Sequence, residues 1–363
     1  MQSLYVHVPW CRSKCRYCAF YSQSVGSSVG LSVSRYAEDI AKEIRERAPE
    51  GFSPEAVYIG GGTPSLLGAA GVSGLCHALR NAADLRNVRE WTFEANPDSL
   101  SGAVCEAMLE GGATRLSLGA QSFDDDVLRW LGRPHDAEAI CWAVRTASAA
   151  GFRSIGIDLI AGIPVGNADS WAQSLEPACS LGCDHVSVYA LTVEEGTPLA
   201  RDVAEGRVAM PSDDAVMDAL AQAEGRLAAA GLVRYEISNY AKPGCECLYN
   251  VSVWRGEDYL GVGPSASSRQ GLERCTNGPI GGRAEVQTLT PEEDRWERFL
   301  TGLRIREGAA PGRWLSEAEA RRAIAALERL AGQGMVEPCD GNRWRLTRRG
   351  REVADAVAVA VMT

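Results

Sequence analysis

Three cysteines near the N-terminus are the residues of this sequence best suited to chemistry. Cys11, Cys15 and Cys18 follow a short apolar strand that contains Tyr5, and their spacing is C-x3-C-x2-C. Three thiolates are one short of the four that complete a structural zinc site or a plain iron-sulfur cluster, so one coordination position stays open. On a cubane cluster the open iron can bind a small chelating molecule, against which Tyr17 can pack. A three-cysteine zinc site and buried free thiols are the alternatives.

Apolar strand patterns and helical patterns alternate after this loop. Further strands are predicted at 56–59, 91–95, 115–119, 154–160 and 185–190, and helices at 35–48, 100–110, 137–150, 170–181 and 213–230. Six strand and helix units predict a parallel α/β array. Eight units would close a full barrel, so we expect an incomplete, TIM-like (β/α)6 barrel.

The chain divides into three predicted parts. We expect the barrel at 1–232, a connecting segment at 233–290 and a small C-terminal domain at 291–363. The last part shows a helix, two short strands and a helix, which resembles a winged-helix unit. Because the whole chain is acidic, we expect this unit to contact protein or to cover the barrel mouth rather than to bind nucleic acid.

Polar and glycine residues occur where the predicted strands end. In parallel barrels the chemistry lies at the C-terminal ends of the strands. After the cysteines, the residues at successive ends are Gly61, Gly62 and Thr63 in a Gly-Gly-Gly-Thr-Pro turn, then Glu94, Gln121, Asp158 within the fifth strand, and Ala190. We therefore expect one functional mouth. The glycines would let the backbone approach a ligand closely.

The cysteine motif resembles that of the radical SAM superfamily, in which an aromatic residue precedes the last cysteine. The resemblance implies a 4Fe-4S cluster on Cys11, Cys15 and Cys18, with the amino and carboxylate groups of S-adenosylmethionine (SAM) on the open iron. It also implies that the triple-glycine segment contacts the methionine amino group. Tyr5, Tyr17 and Ala190 complete the expected SAM contacts.

SAM is an amino acid joined to a nucleoside, and four residues have suitable chemistry for it. Glu94 and Asp158 can accept hydrogen bonds from its ammonium group and ribose hydroxyls. Arg133 can pair with its carboxylate in a bidentate fork, and Gln121 can donate or accept.

Motifs along nearly the whole chain resemble the HemN/HemW group. They include Tyr-x-His-x-Pro-x-Cys, Gly-Gly-Gly-Thr-Pro-Ser, Glu-Ala-Asn-Pro, Gly-Ala-Gln-Ser-Phe, Leu-Gly-Arg and Tyr-Glu-Ile-Ser-Asn-Tyr-Ala. The group comprises oxygen-independent coproporphyrinogen III oxidases and heme chaperones. The oxidases carry a fourth cysteine where this chain has Phe20, so the resemblance favours heme binding and delivery to an acceptor protein. An oxidase or another tetrapyrrole-acting radical SAM enzyme is the alternative.

One segment departs from the chaperone pattern His-Asn-x-x-Tyr-Trp. Tyr249 and Val253 replace its histidine and tyrosine, and Ser267 stands where many relatives have a second histidine. Since imidazole is a common axial ligand of heme iron, Cys245, Cys247 or Tyr249 would have to replace it if the ligand comes from this segment. Whether SAM is cleaved or only regulates heme transfer stays open.

Composition excludes some classes of protein. The chain has 363 residues and a net charge of −10, which is unsuited to sequence-independent nucleic-acid binding. It has no apolar run long enough for a membrane span and no basic leader, and its 12 cysteines are better explained as reduced thiols and metal ligands than as disulfides. We therefore expect a cytoplasmic protein.

Overall fold

The computed structural model describes residues 2–25, 29–166 and 169–363. In chain order its strands are β1 (Ser3–Val8), β2 (Trp10–Cys11), β3 (Gln23–Ser24), β4 (Ala56–Gly61), β5 (Glu90–Ala95), β6 (Arg115–Gln121), β7 (Ser154–Ala161), β8 (His185–Ala190), β9 (Val233–Arg234), β10 (Asn239–Ala241), β11 (Tyr259–Val262), β12 (Ser267–Gln270), β13 (Glu273–Thr276), β14 (Glu285–Thr288), β15 (Val336–Cys339) and β16 (Arg343–Leu346).

Fourteen α-helices and two single 3-10 turns accompany these strands in the described residues. The helices are α1 (Val29–Arg47), α2 (Gly68–Ala82), α3 (Gly102–Glu110), α4 (Asp125–Leu131), α5 (Ala137–Ala150), α6 (Ser170–Ser180), α7 (Pro198–Ala204), α8 (Asp213–Ala229), α9 (Leu248–Trp254), α10 (Pro291–Gly302), α11 (Pro311–Trp314), α12 (Glu317–Gly332), α13 (Arg348–Glu352) and α14 (Ala354–Met362). The 3-10 turns are Pro64–Leu67 and Pro97–Ser99.

Twelve strands form one sheet in the order β14-β13-β12-β11-β1-β4-β5-β6-β7-β8-β10-β9. The run from β11 to β8 is parallel, and antiparallel strands continue it at both ends. In the part of the chain that the structure describes, β8 and β11 are not neighbours, so the barrel is open. The prediction of an incomplete α/β barrel is confirmed.

The number of parallel strands differs from the prediction, which had six. β11 is a seventh parallel strand and pairs with the outer edge of β1, with Leu4 opposite Leu260. This strand returns to β1 from more than 250 residues later in the chain, and nothing in its four residues signals such a partner. Helix α2 was also not predicted, because its glycine-rich first half is a weak helix signal.

The strands alternate between a helix-facing side and a barrel-facing side. In β1, Leu4, Val6 and Val8 are buried in the apolar core, which they share with helix residues such as Ile40 and Ile44 of α1. The residues that alternate with them along the strand are Ser3, Tyr5 and His7. Because side chains alternate with a period of two along a strand, these polar residues point into the barrel.

Residues 245–254, which we call the plug, close the barrel from the side where the strands begin. Tyr249 packs beside Tyr5 and Tyr58, with ring centroids 6.0 and 5.0 Å away. Ser3 donates a hydrogen bond of 3.2 Å to Ser252. Glu90, the first residue of β5, accepts the Leu248 backbone N–H at 2.8 Å and so caps helix α9.

The C-terminal residues have an apolar core of their own, built around Trp296, Phe299 and Leu327. This unit contains the helix and two-stranded hairpin that the sequence predicts, but the last predicted helix is divided at Val353. The unit contacts the plug, where the Arg304 guanidinium lies 4.3 Å from the Trp254 ring centroid. Within the described ranges no helix has the length and apolar character needed to cross a bilayer.

Candidate functional site

The strand ends surround a cavity of about 630 Å³. Its lining comes entirely from residues 11 to 194. Most of the predicted site residues are among them: Cys11, Cys15, Tyr17, Cys18, Gly61, Gly62, Thr63, Glu94, Gln121, Arg133, Asp158 and Ala190. The structure therefore brings these residues together at one mouth. The expectation that the C-terminal unit covers this mouth is wrong, because that unit packs on the plug side.

The three motif cysteines are free, partly exposed thiols on one loop. The Arg133 guanidinium donates from Nη1 to Cys15 Sγ at 3.4 Å, and the Thr63 hydroxyl lies 3.6 Å from Cys11 Sγ. Burial raises the pKa of Cys18. Hydrogen bonds to charged sulfur favour the thiolate, which is the form that binds a metal.

The donor set fits an iron-sulfur cluster. In the described residues no three His, Cys, Asp or Glu side chains are placed to hold a single metal ion. A cubane cluster does not need that arrangement, because each of its cysteines binds a different iron atom. Cys11, Cys15 and Cys18 face the same cavity, and Arg133 and Thr63 direct donors toward two of the sulfurs.

The triple glycine is required by the protein's own packing. A Cβ on Gly60 would lie 2.7 Å from Glu94 Cδ, one on Gly61 2.5 Å from His7 Cε1, and one on Gly62 2.5 Å from the Trp10 carbonyl oxygen. Gly61 also has φ of 103°, where side chains are disfavoured. Neighbouring protein atoms thus exclude a Cβ at all three positions, and Gly61 and Gly62 line the cavity. Close approach of a ligand to these glycines stays a prediction.

Glu94 lies at the end of β5 with two hydrogen-bond donors. The Tyr58 hydroxyl donates to Oε1 at 2.7 Å, and the Gly61 backbone N–H donates to Oε2 at 3.0 Å. Burial nevertheless raises the pKa of Glu94 to about 7, and the neighbouring Asp158 adds to the rise. A ligand cation placed here would favour the carboxylate form.

Asp158 and Gln121 occupy the next strands. The Ser117 hydroxyl lies 3.4 Å from Asp158 Oδ2, and burial raises the pKa of Asp158. Gln121 has φ of 68°, and the register of β6 against β7 shifts between Leu118 and Gln121. A β-bulge of this kind redirects side chains, and here it lies beside the cavity.

Arg133 is already engaged by the protein. Besides Cys15, its Nη2 donates to Asn96 Oδ1 at 2.7 Å and to the Gly119 carbonyl at 2.8 Å. Asn96 in turn donates to the Thr63 hydroxyl at 3.2 Å. Asn96 thus connects Arg133, the neighbour of Cys15, with Thr63, the neighbour of Cys11.

Tyr17 and Tyr5 have different positions. Tyr17 lines the cavity, and burial raises its pKa. Tyr5 is not among the lining residues; its hydroxyl contacts His7 Nδ1 at 3.1 Å, and its ring stacks on Tyr58 below the cavity. In this structure Tyr5 therefore supports the cavity floor from beneath.

Sequence reasoning did not assign Tyr58, Asn96, Ser117 and Tyr189, although each contacts a site residue or lines the cavity. A signal for three of them was present. Residues two apart in a strand lie on the same face of the sheet. This applies to three pairs: Tyr58 with Gly60, Ser117 with Gly119, and Tyr189 with Ser187. Each of the three unassigned residues therefore lies on the barrel-facing side of its strand. Asn96 directly follows β5.

The residues considered as heme ligands lie in or beside the plug, at the end of the barrel opposite the cysteines. Cys247 is 1% exposed and its Sγ lies 3.5 Å from Glu90 Oε1. Tyr249 packs beside Tyr5 and Tyr58, and the Cys245 carbonyl accepts a hydrogen bond from buried Arg115. Tyr249 is partly exposed, whereas contact between the buried Cys247 sulfur and a heme iron would require the plug to open.

The fold and the site define a class of protein, which comparison with known proteins makes explicit. Residues 5–178 match the family model of the Radical SAM superfamily. Membership of that superfamily implies a 4Fe-4S cluster and SAM. The solved structure of coproporphyrinogen III oxidase (HemN) from Escherichia coli, a radical SAM enzyme, superposes with a TM-score of 0.82, covering 100% of this chain and 90% of the other. At 24% identity this likeness shows the fold.

Curated relatives narrow the class to a family. The heme chaperone HemW of Mycobacterium tuberculosis is 36% identical, over 98% of this chain and 93% of the relative. The heme chaperone HemW of Escherichia coli K12 is 31% identical, over 96% and 95%. The chain therefore belongs to the HemW family of radical SAM proteins.

Proposed function

We propose that this protein is a heme chaperone, which binds heme and transfers it to an acceptor protein under the influence of a SAM-bound 4Fe-4S cluster. The observation that carries the proposal is the convergence of Cys11, Cys15 and Cys18 with polar strand ends on one cavity, in a chain whose relatives are named heme chaperones. The oxidase alternative is not proposed, because Phe20 replaces the fourth cysteine and is 71% exposed at this mouth.

Each protein group has a role in this proposal. The three cysteines would hold the cluster, which when bound can supply an electron to the sulfonium of SAM. Glu94 and Asp158 would accept hydrogen bonds from the amino group and the ribose hydroxyls, and Gln121 would add a further donor or acceptor. Arg133 places positive charge where the SAM carboxylate would approach. Gly61, Gly62, Thr63, Tyr17 and Ala190 shape the walls.

The plug bears on where heme binds. Since Cys247 is buried and the Tyr249 ring packs beside Tyr5 and Tyr58, we propose that the axial ligand of heme is neither of these side chains while the plug is in place. Tyr249→Phe keeps the stacked aromatic ring and removes the hydroxyl oxygen through which Tyr249 could bind iron. Unchanged hemin affinity of this variant supports the proposal, and a large loss of affinity contradicts it.

Cellular location and domain organisation are also part of the proposal. All 12 cysteines are free thiols, as suits a reducing compartment, and we place the protein in the cytoplasm. The separate apolar core of the C-terminal residues supports a distinct domain at 291–363, with the barrel at 1–232 and the connecting segment at 233–290.

One sample can test the main function. The protein is reconstituted anaerobically, iron and sulfide are measured, and hemin is then titrated with and without SAM. We expect about four irons and four sulfides per chain, a SAM-dependent change in the cluster spectrum and a shifted hemin band. Hemin without a binding band contradicts the chaperone function, whereas zinc without iron contradicts the cluster. Release of deoxyadenosine would show that SAM is cleaved.

A further inference from the structure

Two arginines of the cysteine loop are held by carboxylates from distant parts of the fold. Arg12 follows Cys11, and its Nε lies 2.9 Å from Asp98 Oδ2. Arg16 follows Cys15, and its Nη2 pairs with Asp202 Oδ2. Asp98 belongs to the single turn that follows β5, whereas Asp202 lies in α7, which follows β8. The loop is therefore attached to two separate elements of the barrel.

The two carboxylates are less exposed than the arginines with which they pair. The side chains of Asp98 and Asp202 are 11% and 14% exposed, whereas those of Arg12 and Arg16 are 59% and 29% exposed. Asp202 accepts a second hydrogen bond of 2.8 Å from Arg207.

On its other side Asp98 faces a histidine. Its Oδ1 lies 3.9 Å from His135 Nδ1, too far for a hydrogen bond, and the His135 side chain is fully buried. Asp202 thus has a hydrogen-bond partner outside the loop, whereas Asp98 is confined there by packing.

Strands β2 and β3 order the two ends of the loop, but the residues between them have no helix or strand to order them. Arg16 is its best anchored residue: its backbone N–H donates to the Leu131 carbonyl at 3.1 Å, its carbonyl accepts from the Leu199 N–H at 2.9 Å, and its guanidinium lies 4.5 Å from the Trp130 ring centroid. Cluster binding requires three thiolates close together, and like charges repel. Arg12 and Arg16 bring positive charge next to two of the three cysteines.

We propose that Asp98 and Asp202 are positioning residues for the cysteine loop, each acting through the arginine that follows a cysteine. By holding these arginines they fix the main chain at Cys11 and Cys15 and reduce the conformational entropy lost when the cluster binds. Each contact anchors one half of the loop, so loss of both should have a larger effect than loss of either one. This inference rests on the proposed cluster at these cysteines.

The test compares iron retention in matched variants of the full chain. Asp98→Ala, Asp202→Ala and the double variant are reconstituted anaerobically with iron and sulfide, and iron loss to a chelator is followed with time. Asp84→Ala is the control, because Asp84 forms a comparable 2.8 Å pair with Arg86 on the surface outside the loop. We expect each single variant to shorten the half-life of iron about two- to fivefold and the double variant about tenfold, with the control unchanged.

Two further measurements separate positioning from general stability. The unfolding temperature of the apo-protein should be the same in wild type and variants. Asp98→Glu should restore part of the half-life that Asp98→Ala loses.

The outcomes divide as follows. Equal iron retention in wild type and double variant overturns the inference, as does iron loss that simply follows a lower apo unfolding temperature. Wild type that loads four irons while the double variant loses them faster, at an unchanged apo unfolding temperature, supports it. Failure of wild type itself to take up iron contradicts the proposed cluster, and the inference with it.

Discussion

Tyr58 donates a hydrogen bond of 2.7 Å to Glu94 Oε1, and this contact connects the plug to the cavity. The other face of the connection is Tyr249 of the plug, whose ring centroid lies 5.0 Å from that of Tyr58. The Gly61 N–H is the second donor to Glu94. The carboxylate that we assign to the SAM amino group is therefore oriented from below by the barrel interior.

Tyr58→Phe should weaken SAM binding about fivefold, because a buried carboxylate loses a donor worth roughly 1 kcal/mol. Isothermal titration of the reconstituted protein measures the effect. Tyr259→Phe is the matched control, since Tyr259 contacts Tyr249 and belongs to the same aromatic group. Equal weakening by both substitutions would show that the aromatic packing, and not the hydrogen bond, supports Glu94.

SAM affinity should depend on pH through Glu94, whose pKa is raised to about 7 by burial. The N–H groups of the SAM amino group bond more strongly to the carboxylate than to the neutral acid. Binding should therefore strengthen about tenfold between pH 6 and pH 8 and then level off. Glu94→Gln should bind weakly at every pH in this range. A wild-type affinity that does not change over the range would contradict the assignment of Glu94.

The same raised pKa predicts a pH-dependent stability of the apo-protein. Stability from protonated Glu94 is fully present below its ordinary pKa of 4.5 and is lost as the pH rises through about 7. Glu94→Gln lacks this loss, so relative to wild type it should gain stability between those values, on the order of 2 kcal/mol. Urea unfolding at pH 5 and pH 8 measures the difference; if the two proteins respond alike to pH, Glu94 does not titrate in this way.

Gly61→Ala should destabilise the protein by more than its backbone conformation alone explains. The new Cβ would meet His7 at 2.5 Å in addition to the strain at φ of 103°. Gly68→Ala isolates the backbone effect, because Gly68 has φ of 66° and no atom within 4 Å of the added Cβ. We expect about 1 kcal/mol for Gly68→Ala and about 3 kcal/mol or more for Gly61→Ala in chemical unfolding.

Arg133→Gln should lower the midpoint potential of the reconstituted cluster, since it removes a positive hydrogen-bond donor 3.4 Å from Cys15 Sγ. We expect a shift of roughly 60 mV, which corresponds to a tenfold change for a one-electron couple. Arg129→Gln on the nearby α4 surface serves as the control, because Arg129 pairs with Asp126 instead. A potential that both variants leave unchanged would show that Arg133 does not act on the cluster.

Much of the site follows from the sequence. The spacing of Cys11, Cys15 and Cys18 and the polar groups at strand ends are local features, and parallel strands necessarily bring their C-terminal ends to one edge. Glu94, Gln121 and Asp158 could be assigned for that reason. The strand order β1-β4-β5-β6-β7-β8 also follows from the alternation of short apolar runs and helices.

Only the tertiary structure decided which distant residues hold these groups in place. Helix α9 closes one end of the barrel, and β11 extends the parallel sheet. Asp98 and Asp202 form ion pairs with Arg12 and Arg16. These contacts join residues that are up to about 250 positions apart in the chain. A single polar or aromatic residue in a local segment does not encode its partner, since that pairing depends on how the whole chain closes. The sequence thus determined the chemistry at the cavity, while tertiary packing determined its support.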